Sequence, residues 1–134
     1  MHTAFLKTAA LIGALSVALG AFAAHTLKET LAPDQLAVFE TAVRYQFYHV
    51  FALLAVGILY ANFPSRSMRW AGCLFIAGMI LFSGSLYLLC YIKFSGMENM
   101  KWIGAITPFG GAAFIGGCVM MFVAFMKGNK QNGQ

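Results

Sequence analysis

Four long stretches of this chain carry no formal charge. They cover residues 8–27, 45–65, 70–92 and 102–126, or 20, 21, 23 and 25 residues. A helix rises about 1.5 Å per residue, so about 20 apolar residues cross a hydrocarbon core about 30 Å thick. All four runs are long enough. Inside lipid the backbone must satisfy its own hydrogen bonds, which leaves helices and closed barrels. Barrel strands are shorter and alternate polar with apolar, and these runs do not alternate. Composition agrees: the 134 residues are 60% hydrophobic and only 10% charged. So small a chain has too little interior to hide that much apolar surface. A soluble enzyme, a nucleic-acid module and a disordered tail are all disfavoured.

The reading is therefore all-α: an integral membrane four-helix bundle with short loops. The whole chain, 1–134, forms one domain with spans over about 5–27, 41–63, 70–92 and 102–126 and a polar tail at 127–134. Lys7, an apolar stretch and Ala21-Phe22-Ala23 have the outline of a signal peptide. The run is long enough to span, and it is read as a retained helix. The longest connection is 28–44, with a helix starting near Pro33 and running into the second span. A basic loop lies at 64–69, and Gly96 marks a turn in 93–101.

Four spans put both termini and the 64–69 loop on one side. That side holds Lys7, Arg66, Arg69, Lys127 and Lys130; the other holds Lys28, Arg44, Lys93 and Lys101 with all four acids. Positive residues favour the cytoplasm and acids count little, so both termini are placed there. The net charge of +5 then reflects topology. No basic face suits nucleic acid. The three cysteines, Cys73, Cys90 and Cys118, form no paired spacing and read as small buried apolar residues. CxxC, CxxCH and HExxH are absent, so no metal or cofactor is assigned.

Polar residues within spans are costly and usually face the bundle interior. They gather toward one end. His25 closes span one; Thr41, Arg44, Tyr45, Gln46 and His49 open span two; Ser83, Ser85 and Tyr87 lie in span three; Thr107 and Pro108 begin span four. The inner halves hold mainly Thr8, Ser16 and Asn62. Thr41, Tyr45 and His49 share a helix face by their i, i+4, i+8 spacing. These residues are the candidate polar cluster, as a structural knot or as a ligand site. Thr107-Pro108-Phe109-Gly110-Gly111 is expected to bend or loosen the outer part of span four. Small-xxx-small patterns at Ala10, Ala14 and Ala18 and at Ala112–Gly116 and Ala113–Gly117 suit close helix packing, within the chain or between copies.

Gly20-Ala21-Phe22-Ala23-Ala24-His25, Thr41 through His49 (TAVRYQFYH), Leu81 through Tyr87 (LFSGSLY) and Thr107-Pro108-Phe109-Gly110-Gly111 resemble, in order, four segments of the YgdD/YwdK-like family of small bacterial inner-membrane proteins. Ala23 stands where the family usually has glycine. The resemblance implies a four-helix protein of the bacterial inner membrane. It implies no activity, so no residue role is carried over.

The favoured function is a non-enzymatic membrane component: a scaffold, an accessory subunit or a lipid-interacting protein. Its partners would be membrane lipid, a second copy or another membrane protein. No Ser/His or carboxylate pair supports an intramembrane enzyme. One alternative is haem or quinone binding through His25 and His49, two imidazoles able to act as axial ligands. Another is a small oligomeric transporter using Arg44, His49 and the Pro108 break.

Overall fold

A computed structural model describes residues 1–96 and 101–131. Four helices account for nearly all of the described chain. They are α1 (Thr3–Thr30), α2 (Pro33–Leu59), α3 (Arg66–Phe94) and α4 (Thr107–Gln131); a 3-10 turn over Lys101–Ala105 leads into α4. Each is long and apolar enough to cross a membrane. Large apolar side chains point outward along them, among them Leu11, Ile80 and Ile115, as a lipid-facing surface requires.

The chain ends meet neighbours in an order that fixes the topology. The His2 N–H donates to the Gly57 carbonyl at 2.8 Å, joining the start of α1 to the end of α2. Phe63, just after α2, packs on Phe125 near the end of α4. Both termini therefore lie at one end of an antiparallel bundle. Helix α1 packs mainly on α2, and α4 mainly on α3, while α2 and α3 join the two hairpins. The larger core cluster includes Phe5, Val50, Leu53, Met68, Phe75 and Phe114, toward the terminal end. A smaller one, built on Ala23, Phe39 and Cys90, closes the other end.

Local chemistry explains the helix limits. Pro33 opens α2 after an extended Ala32, where its missing N–H costs nothing, and Asp34 sits in the first turn. Within the connection read as 28–44 only Leu31 and Ala32 are non-helical: a helix does start at Pro33 and run into the second span, as expected, and α1 continues through Thr30. Arg66 and Arg69, read as loop residues, lie in the first turn of α3, whose Met68 N–H donates to the Ser65 hydroxyl. Gly96 takes the left-handed conformation, φ +71°, as its turn position requires. The tail read at 127–134 begins inside a helix, since α4 runs on to Gln131; adding residues to an existing helix is cheap. Residues 132–134 and 97–100 fall outside the described chain.

The outer part of span four is loosened, as a 3-10 turn over Lys101–Ala105, and Pro108 stands in the first turn of α4 without interrupting that helix. This proline is the second residue of that helix, where the 3-10 turn ends, and proline is well placed in a first turn. The close contact lies at Gly110. A Cβ there would collide with the backbone of Phe82, so α3 and α4 touch main chain to main chain. Gly117 likewise accommodates the Phe75 ring, and Gly78 the Phe114 ring. Gly110 and Gly117 of α4 and Gly78 of α3 thus serve packing within the chain. On α1, Ala10, Ala14 and Ala18 face outward, while Ser16, Gly20 and Ala23 turn toward α2. Cys90 is buried, but Cys73 and Cys118 are exposed on the lipid-facing surface, contrary to the buried reading.

Candidate functional site

One polar chain ties three helices together. Ser16 on α1 and Gln46 on α2 each lie near the middle of their helix. Both are buried, at 1% and 5% exposure. The Tyr87 hydroxyl donates to Gln46 Oε1 at 2.9 Å, Gln46 Nε2 donates to Ser16 Oγ at 2.9 Å, and Ser16 Oγ donates to the Ile12 carbonyl at 2.8 Å. Every donor in this series runs in one direction, from α3 through α2 to α1. A buried amide without partners costs several kcal/mol in hydrocarbon. Here both ends of the amide are used. Phe39, 4.9 Å from the Tyr87 ring centre, packs beside the phenol.

Two short π-helical segments interrupt the long helices, over Ala23–Leu27 in α1 and Met79–Ser83 in α3. A π-turn inserts a residue and re-aims the side chains beyond it. Around the second one, Ser83 and Ser85 serve opposite neighbours. Ser83 Oγ donates to the Ala42 carbonyl of α2 at 2.8 Å. Ser85 Oγ donates to the Phe82 carbonyl at 2.9 Å and lies 2.7 Å from Thr107 Oγ1 of α4. The hydroxyls thus fasten α3 to both of its flanking helices, beside the Gly110–Phe82 approach.

His49 stands apart from that system. Its Nδ1 lies 2.7 Å from the Tyr45 carbonyl, which can only accept, so Nδ1 carries the proton. The ring stacks on Phe114 at 3.4 Å between centroids and is tilted 5.7 Å from Phe75. Thr41 Oγ1 donates to the Ala37 carbonyl within its own helix at 2.8 Å. Tyr45 and Arg44 are exposed, as is His25. The single compact cluster of His25, Arg44, Tyr45, Gln46, His49, Ser85 and Tyr87 is therefore not assembled. Gln46 and Tyr87 are joined, Ser85 pairs with Thr107, and His49 occupies an aromatic slot.

The two histidines suggested as axial ligands do not converge. At the depth of His49, α1 presents Gly13, whose Cβ would lie 3.3 Å from Val50. His25 is twelve residues further along, about 18 Å of helix rise. Among the described residues no group of three or more His, Cys, Asp or Glu could hold a metal ion. Ser16 was visible in the sequence as a lone hydroxyl in an apolar run, but its pairing with Gln46 was not. His2 was also overlooked. Its ring stacks on Phe5 at 4.0 Å and meets Tyr60 edge-on at 5.2 Å, and its buried Nδ1 has no partner among the described residues.

Comparison with known proteins agrees with this architecture. A family model described as "Protein of unknown function (DUF423)" matches residues 19–111, more than half of the chain. The chain belongs to the DUF423 family. That stretch includes both π-turns, all of α2 and α3, and the Gly110 contact. Similar proteins carry the name UPF0382 membrane protein. One from Staphylococcus aureus (strain bovine RF122 / ET3-1) is 41% identical over 123 residues, covering 92% of this chain and 95% of its own. YwdK of Bacillus subtilis (strain 168) is 40% identical over 124 residues, covering 92% and 96%. A Staphylococcus haemolyticus member is 38% identical over 123 residues, covering 92% and 95%. No solved structure matches the chain. For DUF423 proteins the family description names no activity, so function must be argued from the geometry.

Proposed function

We propose that the protein is a non-enzymatic, multi-pass component of the bacterial inner membrane, a small scaffold or accessory subunit with both termini in the cytoplasm. The observation that carries this reading is the Tyr87–Gln46–Ser16 series. The buried side chains Gln46 and Ser16, with the Tyr87 phenol, are spent on one another and on a backbone carbonyl, which suits fastening helices. Ser83, Ser85 and Thr107 are engaged in the same way. The orientation rests on the five basic residues at the terminal end of the bundle.

Native mass spectrometry from mild detergent, with an absorption spectrum of the same sample, tests the role. The expected result is the chain with lipid or a protein partner and no chromophore. A retained haem or quinone that disappears on His49→Ala would overturn it. Reporter fusions after Gln134 and within the Leu31–Ala32 link test the orientation. Activity of a cytoplasm-only reporter at the link would reverse it.

A further inference from the structure

On the outer side of the α1–α2 seam lies a groove of about 450 Å³. Gly20, Val43 and Phe47 give it apolar lining. A Cβ at Gly20 would sit in ordinary contact with Val43, 3.6 Å away, so a larger side chain is tolerated there and would occupy the groove. Along its α2 edge stand Glu40, Arg44 and Tyr48, one helical turn apart, about 6 Å per step. All three are exposed. Among the described residues none of these side chains makes a hydrogen bond, and neither charge has an ion-pair partner; the ion pair that is present joins Lys93 to Asp34 at 4.0 Å.

Depth makes this arrangement unusual. Lys28, Glu29, Asp34 and Lys93 mark the water boundary at this end of the bundle. Arg44 is ten residues along α2 from Asp34, about 15 Å of rise, and Glu40 about 9 Å. The headgroup layer is about 5–8 Å deep on each side. Glu40 thus sits at its base and Arg44 a turn below, with a stem long enough to reach back up. An arginine at this depth on a lipid-facing surface is costly, and among the described residues no side chain is hydrogen-bonded or ion-paired to it.

We propose that this groove holds one phospholipid with a primary-amine headgroup. From water inward, such a lipid presents an ammonium, a phosphate, glycerol esters and acyl chains. From the same boundary inward, the groove presents a carboxylate at Glu40, a guanidinium at Arg44, a phenol donor at Tyr48 and apolar surface at Gly20, Val43 and Phe47. The charges complement each other in order. Arg44 takes the phosphate by charge-assisted hydrogen bonds, and Glu40 accepts from the ammonium. A glycerol headgroup leaves Glu40 without a cation. A choline headgroup offers a cation without N–H donors. This proposal rests on placement in the membrane and is independent of the scaffold reading.

The test is native mass spectrometry of the full chain in mild detergent. It is titrated with dioleoyl phosphatidylethanolamine, phosphatidylglycerol or phosphatidylcholine. One phosphatidylethanolamine per chain is expected, held about tenfold more tightly than the other two, the size of one charge-assisted hydrogen bond. Glu40→Gln should remove that preference while phosphate binding persists. Arg44→Gln should weaken all three lipids about tenfold. Gly20→Leu, which changes no charge, should displace lipid by filling the groove. Far-UV circular dichroism of each variant should match the parent, since the two charged positions are exposed. Equal retention of the three headgroups overturns the proposal, as does indifference to both charge substitutions. So does a dimer that dissociates on Arg44→Gln whichever lipid is supplied, because the groove would then hold a second copy.

Discussion

Tyr87 and Gln46 meet across α3 and α2 through a 2.9 Å hydrogen bond from the phenol to the side-chain carbonyl. The amide then passes its own N–H to Ser16. Removing the first donor tests the series. Tyr87→Phe should lower stability by about 0.6–1.7 kcal/mol, the range for interhelical hydrogen bonds in membranes. Gln46→Leu should cost more, because it strips partners from both Tyr87 and Ser16. The double variant should lose less than the sum of the two, since they act on one bond. Equilibrium unfolding in mixed micelles measures all three; strict additivity would mean that the bond contributes nothing.

A methyl group at position 110 has no room. Gly110→Ala should destabilise the α3–α4 hairpin by about 1–3 kcal/mol, as overpacking does, because the obstacle is the Phe82 backbone and cannot rotate aside. Gly84→Ala provides the control, as a Cβ there meets nothing within 4 Å. The comparison is a pair of melting curves in the same detergent. Equal shifts would refute the close approach.

His49 acts as an aromatic plate between Phe75 and Phe114. His49→Phe keeps the stacking surface and should cost only about 0.5–1.5 kcal/mol, the scale of the lost hydrogen bond to the Tyr45 carbonyl. His49→Ala should cost about 1–3 kcal/mol, the usual range for losing a half-buried side chain with its contacts. If phenylalanine were as damaging as alanine, the imidazole nitrogens would matter more than the ring.

The cysteines separate by environment. Cys90 is buried and donates to the Gln35 carbonyl at 3.4 Å, whereas Cys73 and Cys118 are exposed on the outer surface. A lipophilic maleimide should modify two thiols per folded chain and a third only after denaturation, counted by intact mass. Early modification of Cys90 would show that the end of the bundle away from the termini opens readily.

Much of this architecture was legible before any coordinates. Charge-free runs of sufficient length set the number of helices, and Pro33 marked the start of α2 by its fixed φ and missing N–H. What escaped were features that depend on more than one helix. Nothing near Ser16 in the chain announces Gln46, thirty residues away. A π-turn leaves little trace in composition, so the opposite assignments of Ser83 and Ser85 appear only in three dimensions. Depth alone grouped His25 with His49, although the helices carry them to different levels. Pro108 was only half legible because its distance from the helix start was not visible in an apolar run that also contains the 3-10 turn.

The two-residue link between α1 and α2 has a consequence for biogenesis. Helices joined so tightly can enter the bilayer together, as one hairpin. Gln46 has Ser16 as a partner within that pair, so one amide N–H can be satisfied by this hairpin alone, without α3. The second hairpin then arrives bearing Tyr87, which finds the remaining acceptor. The polar series can therefore be completed in the order of synthesis, Ser16 and Gln46 first and Tyr87 last.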